Sequence, residues 1–179
     1  MKNVLVALLF CFALLGCKPE EATKKEDTKT IVNEVKKPSK LVILMDYKVD
    51  KAQKVQCVFS NIELANNKQN GAFVITETLA PSSDFSKAKF EMFGDYVALK
   101  VQLRLGNAPI KLQVNKMVLS YEDKEVIVSG KDINKYFAPN KHVKYDPATQ
   151  TIETVTVKGK HQPILTLRQG FINRLFSLI

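Results

Sequence analysis

The sequence predicts an all-β fold: an antiparallel β-sandwich with one short helix and an apolar C-terminal segment. Three observations point there. From Leu41 onward, apolar and polar residues alternate with a period of two, the pattern of half-buried strands. Turn-forming residues cut these runs into roughly nine or ten short pieces, as in sandwiches and barrels. No long helical period lies between them, which argues against a parallel sheet of βαβ units.

The clearest strand is Tyr96 to Leu105. Val97, Leu99, Val101, Leu103 and Leu105 fall on one face, and Ala98, Lys100, Gln102 and Arg104 on the other. Gly106-Asn107-Ala108-Pro109 supplies the turn that ends it. Ile110 to Tyr121 follows, with Ile110, Leu112 and Val114 in phase; Met117, Leu119 and Tyr121 then continue on odd numbers. One inserted residue at Asn115-Lys116 accounts for the slip, so a bulge or bend is expected there. Glu122-Asp123-Lys124 turns the chain, and Glu125 to Ser129 returns as a strand.

Further strands are expected at Leu41 to Val49, Lys54 to Ser60, Ala72 to Glu77, Ala88 to Phe93, His142 to Tyr145, Thr151 to Val157 and Pro163 to Leu167. Two segments depart from the period of two. In Gly130 to Phe137, Ile133, Tyr136 and Phe137 stand at i, i+3 and i+4, the spacing of one short helix on the core. In Arg168 to Ile179, Phe171, Ile172, Leu175, Phe176 and Ile179 lie near one face. This segment either seals the open end of the sandwich or docks a membrane or partner.

Residues 96–121, "YVALKVQLRLGNAPIKLQVNKMVLSY", resemble a pattern common in galactose-binding-like jelly rolls. In those modules a strand ending Leu-x-Leu leads into one carrying a Val-x-x-Met-x-Leu-type motif. The resemblance implies a jelly-roll-like sandwich of carbohydrate-binding-module type and carries over no ligand-binding residue.

The N-terminus has a different character. Met1-Lys2-Asn3 precedes an apolar run from Val4 to Leu15, followed by Gly16 and Cys17. As a helix this run would rise about 18 Å, short of a bilayer core of roughly 30 Å. One positive charge, a short apolar run and a small residue make the layout of a secretory signal peptide. Leu14-Leu15-Gly16-Cys17 resembles the lipobox of bacterial lipoproteins. That resemblance implies cleavage after Gly16 and acylation of Cys17, whose chains would anchor the protein. Leu15 departs from the smaller residue usual in that family. The expected organisation is a signal peptide 1–16, a lipidated flexible tether 17–39 and a β-sandwich domain 40–179.

The tether, "KPEEATKKEDTKTIVNEVKKPS" after Cys17, has mixed charge and no aromatic residue. Such a composition buries too little apolar surface to offset chain entropy. Its expected r.m.s. reach is roughly 25 Å. The expected location is therefore the cell envelope, at the outer membrane rather than the inner, with the periplasmic or surface face open.

Cysteine usage agrees with that plan. With Cys11 removed and Cys17 acylated, Cys57 alone keeps a thiol, so no internal disulfide forms. Within Val55 to Phe59 it reads as a small buried hydrophobe, the alternative being a reactive thiol. The formal charge is +9, from 27 Lys and Arg against 18 Asp and Glu. Arg104, Arg168 and Arg174 are the only arginines. Bidentate phosphate recognition favours Arg, so the charge reads as general solubility and no nucleic-acid partner is expected.

Catalytic signatures are absent from the sequence: Cys-x-x-Cys, His-Glu-x-x-His, Gly-x-Ser-x-Gly and phosphate loops do not occur. His142 and His161 stand apart beside lysines, in segments expected to be exposed. The expectation is no catalytic residue, no metal, no cofactor and no enzyme. For binding, Tyr136, Tyr145 and Asp146 in "KYFAPNKHVKYDPATQ" are the candidates, because an aromatic face beside polar groups can stack a sugar ring. The competing reading gives Phe137 to the core and Tyr145-Asp146-Pro147 to a turn. Trp, a common sugar platform, does not occur. These features predict a lipid-anchored envelope protein displaying a non-catalytic module for glycan or protein. The alternative is an accessory subunit that docks an envelope complex through residues 169–179.

Overall fold

A computed structural model describes residues 40–64, 67–94 and 96–176. The expected signal peptide, Cys17, the tether and residues 177–179 lie outside these described residues.

Two antiparallel sheets face each other across one core. The first runs β4 (Ser86–Phe93), β1 (Lys40–Val49), β6 (Lys111–Tyr121), β10 (Thr151–Thr154), β9 (Val143–Asp146), with β7 (Lys124–Ser129) also paired to β6. The second runs β3 (Asn67–Leu79), β2 (Gln53–Leu64), β5 (Tyr96–Arg104), β11 (Ile164–Leu167), β8 (Phe137–Pro139). Only β2–β3, β6–β7 and β9–β10 are consecutive strands paired within a sheet; the other connections cross between sheets. The chain is thus an all-β sandwich.

The core follows from the period of two. Leu41, Ile43, Met45, Tyr47 and Val49 of β1 point inward and are buried, as are Val55, Cys57 and Phe59 of β2. Val101, Leu103 and Leu105 do the same from the β5 end. Each such large side chain contributes roughly 1.5–3 kcal/mol by leaving water. Ala98, on the outward phase, is nevertheless fully buried, whereas Leu99 is only half-buried.

The expected irregularity in β6 is present as a bulge. Asp46 pairs Lys116 and Tyr47 pairs Val114, so Asn115 is the extra residue. Exposed Asn115 and Lys116 separate buried Val114 from buried Met117, which keeps both halves of the strand facing the core. The same bulge divides one edge of β6, with β10 pairing 111–113 and β7 pairing 116–121.

A 3-10 turn (Gly130–Asp132) leads directly into α1 (Ile133–Tyr136). The helix stops one residue before the spacing predicts. Phe137 opens β8 and is still fully buried. Pro139 disfavours helical geometry at Ala138, and pairing with β11 satisfies the extended backbone instead. Thr151 to Val157 is also shorter than expected: β10 ends at Thr154, and Val157 bridges Lys160 separately.

The C-terminal segment forms α2 (Gln169–Phe176), with Ile172, Leu175 and Phe176 buried. Phe176 meets Tyr121 edge-on, with ring centroids 4.6 Å apart. Within the described residues, the apolar face of this helix is directed into the fold.

Candidate functional site

The outward positions of the second sheet carry the polar half of the alternation. Strand register sets Thr76, Gln56, Arg104 and Ile164 side by side across β3, β2, β5 and β11. Gln56 Nε2 donates to Thr76 Oγ1 at 3.4 Å, and Gln102 Nε2 to Thr166 Oγ1 at 3.2 Å. These cross-strand bonds orient the amides along the surface.

At the end of β5 the chain turns through Gly106, whose φ of +91° suits glycine. Gln53 packs directly against it. Its Nε2 donates to the Ala108 carbonyl at 3.1 Å, and its Oε1 accepts the Lys54 N–H at 3.1 Å. A buried amide thereby fastens the start of β2 to the Gly106 turn.

The opposite wall comes from the hairpin before β11. Val157 and Lys160 exchange backbone bonds of 2.9 and 3.1 Å, with Lys158 and Gly159 both at positive φ between them, as a tight hairpin turn requires. Asn140 holds the exit: its Nδ2 donates to the Gln162 carbonyl at 2.7 Å, and its Oδ1 accepts the Ile164 N–H at 3.2 Å. His161 projects between these walls. It is half-buried, and its Nε2 has no hydrogen-bond partner among the described residues.

Together these elements enclose a groove of about 630 Å³, lined by Lys54, Gln56, Arg104, Asn107, His161 and Gln162, with Gln53 and Gly106 beneath. That volume lies within the usual range for small-ligand sites, roughly 300–1,000 Å³. Among the described residues, the lining contains no Asp, Glu, Ser, Thr or Cys. Lys54 and Arg104 are exposed, and neither forms an ion pair among the described residues. The groove therefore offers cationic and amide donors to a ligand, with no paired acid and base within it. Among the described residues, no group of three or more His, Cys, Asp and Glu side chains converges to hold a metal.

Tyr136, Tyr145 and Asp146 lie elsewhere. Tyr136 packs on Phe171 with centroids 4.1 Å apart and lines a separate recess beside Ile127 and Arg174. Tyr145 points inward from β9, and its hydroxyl donates to the Gly130 carbonyl; burial pushes its phenol pKa up. Asp146 occupies the other face of β9, where its carboxylate accepts from Thr149 Oγ1 at 2.7 Å and Ala148 N–H at 2.9 Å. Those bonds, the Thr149 hydroxyl foremost, lower its pKa. The fold thus separates the candidates and gives Tyr145 and Asp146 local structural tasks.

His142 also departs from expectation. It is 3 % exposed, with Nδ1 3.3 Å from the Val155 carbonyl. The β9–β10 hairpin folds back over it, so neighbouring lysines were a poor guide to its exposure. Cys57 is buried among apolar side chains on the inner face of β2, and burial raises its thiol pKa.

The groove escapes sequence reasoning because Gln56, Arg104 and His161 meet only through strand register. Two local signals were available: outward Lys54-x-Gln56, and outward Arg104 just before a turn glycine. No family model, no curated protein and no solved structure matches the chain.

Proposed function

We propose that this chain is a lipid-anchored cell-envelope protein whose sandwich is a non-catalytic binding module for glycans. Cys17, set after the apolar leader in its lipobox-like context, is the anchor to the outer membrane, and residues 18–39 are the leash. The observation that carries the binding half of this reading is the polar groove on the second sheet. Gln56, Asn107 and Gln162 line it with groups able to bond hydroxyls, while Arg104 and Lys54 add charge. The ligand site is therefore assigned to this groove rather than to Tyr136, Tyr145 and Asp146. The alternative of docking through residues 169–179 has less support, since Ile172, Leu175 and Phe176 are buried.

Two measurements test the two halves. Growth with labelled palmitate should label the polypeptide and fail to label Cys17→Ser, which should also leave the membrane pellet. Label in the Cys17→Ser protein, or none in the parent, removes the anchor. The full-length protein in detergent micelles should be retained on a glycan array, and Arg104→Ala should abolish retention. Retention that survives Arg104→Ala, or no retention on any glycan, removes the binding assignment.

A further inference from the structure

The two outer faces of the sandwich differ in charge. On the first sheet, outward positions mix signs: Asp46, Lys87, Lys89, Glu91, Lys116 and Glu125 alternate across β4, β1, β6 and β7. On the second sheet, the described outward side chains include no Asp or Glu. They are Lys54, Gln56, Ser60 and the buried Val58 of β2, then the buried Ala98 and Lys100, Gln102 and Arg104 of β5, with Val74, Thr76 and Thr78 among the side chains bordering them on one side. Ile164, Thr166 and Ala138 border them on the other.

The cations are also spaced along a line. Arg104 and Lys100 stand four residues apart on one strand, which places them about 13 Å apart along β5. Beside Lys100, just past the end of β11, Arg168 shares a second recess, of about 430 Å³, with Lys100 and Thr166. Its Nε donates to the Asn134 carbonyl at 3.1 Å, so the guanidinium is held by one bond with its terminal N–H groups left over. Lys54, Lys100, Arg104 and Arg168 are all exposed, and none is neutralised by an ion pair among the described residues. A chain with three arginines thus places two of them on one face that has no acid among its described outward side chains, with amides and a hydroxyl between.

We infer that this face binds an acidic saccharide chain laid along β5, from the groove at Arg104 to the recess at Lys100 and Arg168. The inference rests on the glycan-binding reading above and adds the ligand's charge and its extended form. A guanidinium bonds a carboxylate through two parallel N–H groups, and Gln56 and Gln102 lie where ring hydroxyls need partners. A strip of exposed cations also attracts a polyanion from a distance, in a manner that salt screens.

The experiment is calorimetric titration of the full-length protein in detergent micelles with a galacturonic acid hexamer. Its fully methyl-esterified counterpart, with the same backbone and no charge, is the comparison. The acid should bind at least about tenfold more tightly than the ester and weaken as salt rises. Arg104→Gln and Lys100→Gln should each weaken the acid by about tenfold, while Lys144→Gln on the opposite sheet leaves it unchanged. Unchanged thermal melts would show that these surface variants fold. Equal binding of acid and ester overturns the inference while leaving the glycan reading in place. Binding of neither oligomer, together with no hit on the glycan array, removes both. Glycerol phosphate binding as tightly as the hexamer would assign the strip to a lipid headgroup and overturn the saccharide assignment. Loss on Lys144→Gln equal to that on Arg104→Gln would show unspecific attraction and also overturn it.

Discussion

Gln53 fills the space directly above Gly106. A Cβ at residue 106 would lie 2.2 Å from Cδ of Gln53, and the backbone there has a φ of +91°. Gly106→Ala therefore meets both a clash and a conformation unfavourable to L-residues. The expected loss is about 1–3 kcal/mol, read as a lower thermal midpoint. An unchanged midpoint would mean that Gln53 can swing aside without losing its bonds to Ala108 and Lys54.

Tyr145 is expected to serve stability rather than binding. Its hydroxyl satisfies the carbonyl of Gly130, and that turn has little room to find another donor, because a Cβ at residue 130 would lie 1.9 Å from the Val114 carbonyl oxygen. Tyr145→Phe should cost about 1–2 kcal/mol in chemical denaturation and leave hexamer binding unaltered. Weakened binding with unchanged stability would return Tyr145 to the ligand site.

Cys57 should be inert in the folded protein. It is fully buried, and burial disfavours its thiolate, the reactive form. After iodoacetamide treatment at mildly alkaline pH, the peptide containing Cys57 should be unmodified from native protein and alkylated from protein in guanidinium. Rapid alkylation under native conditions would contradict this placement.

Asp146 gives the acid side of the stability profile a definite sign. Its folded pKa is lowered by the Thr149 hydroxyl and the Ala148 N–H. Its contribution is therefore fully present well above the ordinary value of 3.8 and disappears as pH falls through the folded value. Asp146→Asn should be less stable than the parent at neutral pH, and the gap should close in acid. A gap that widens with acid would show that the carboxylate is not held in its charged form.

Where neighbours along the chain decide the outcome, the fold was legible. The alternation in Val97 to Leu105 marked β5, and the phase change at Asn115 marked the bulge, because a one-residue insertion must reverse every later side chain. The spacing of Phe171, Ile172, Leu175 and Phe176 marked one apolar face but left sealing and docking both open; the structure buries Ile172, Leu175 and Phe176. Phe137 was misassigned to the short helix because a buried aromatic fits either period; pairing of β8 with β11 decided the strand. His142 was misplaced because flanking lysines describe local polarity, whereas the return of the Val155 strand end over its ring set its burial.

The order of residues alone determined an all-β body of alternating residues behind an apolar N-terminal run and a charged segment, since hydrophobic periodicity is a property of consecutive residues. Only the tertiary structure decided which outward side chains share a surface. Gln56 and Arg104 are adjacent because β2 pairs with β5, and His161 joins them because β11 lies on the far side of β5. Antiparallel register joins residues distant in the chain, so the charge of a sheet face is set by pairing and cannot be read from any one segment.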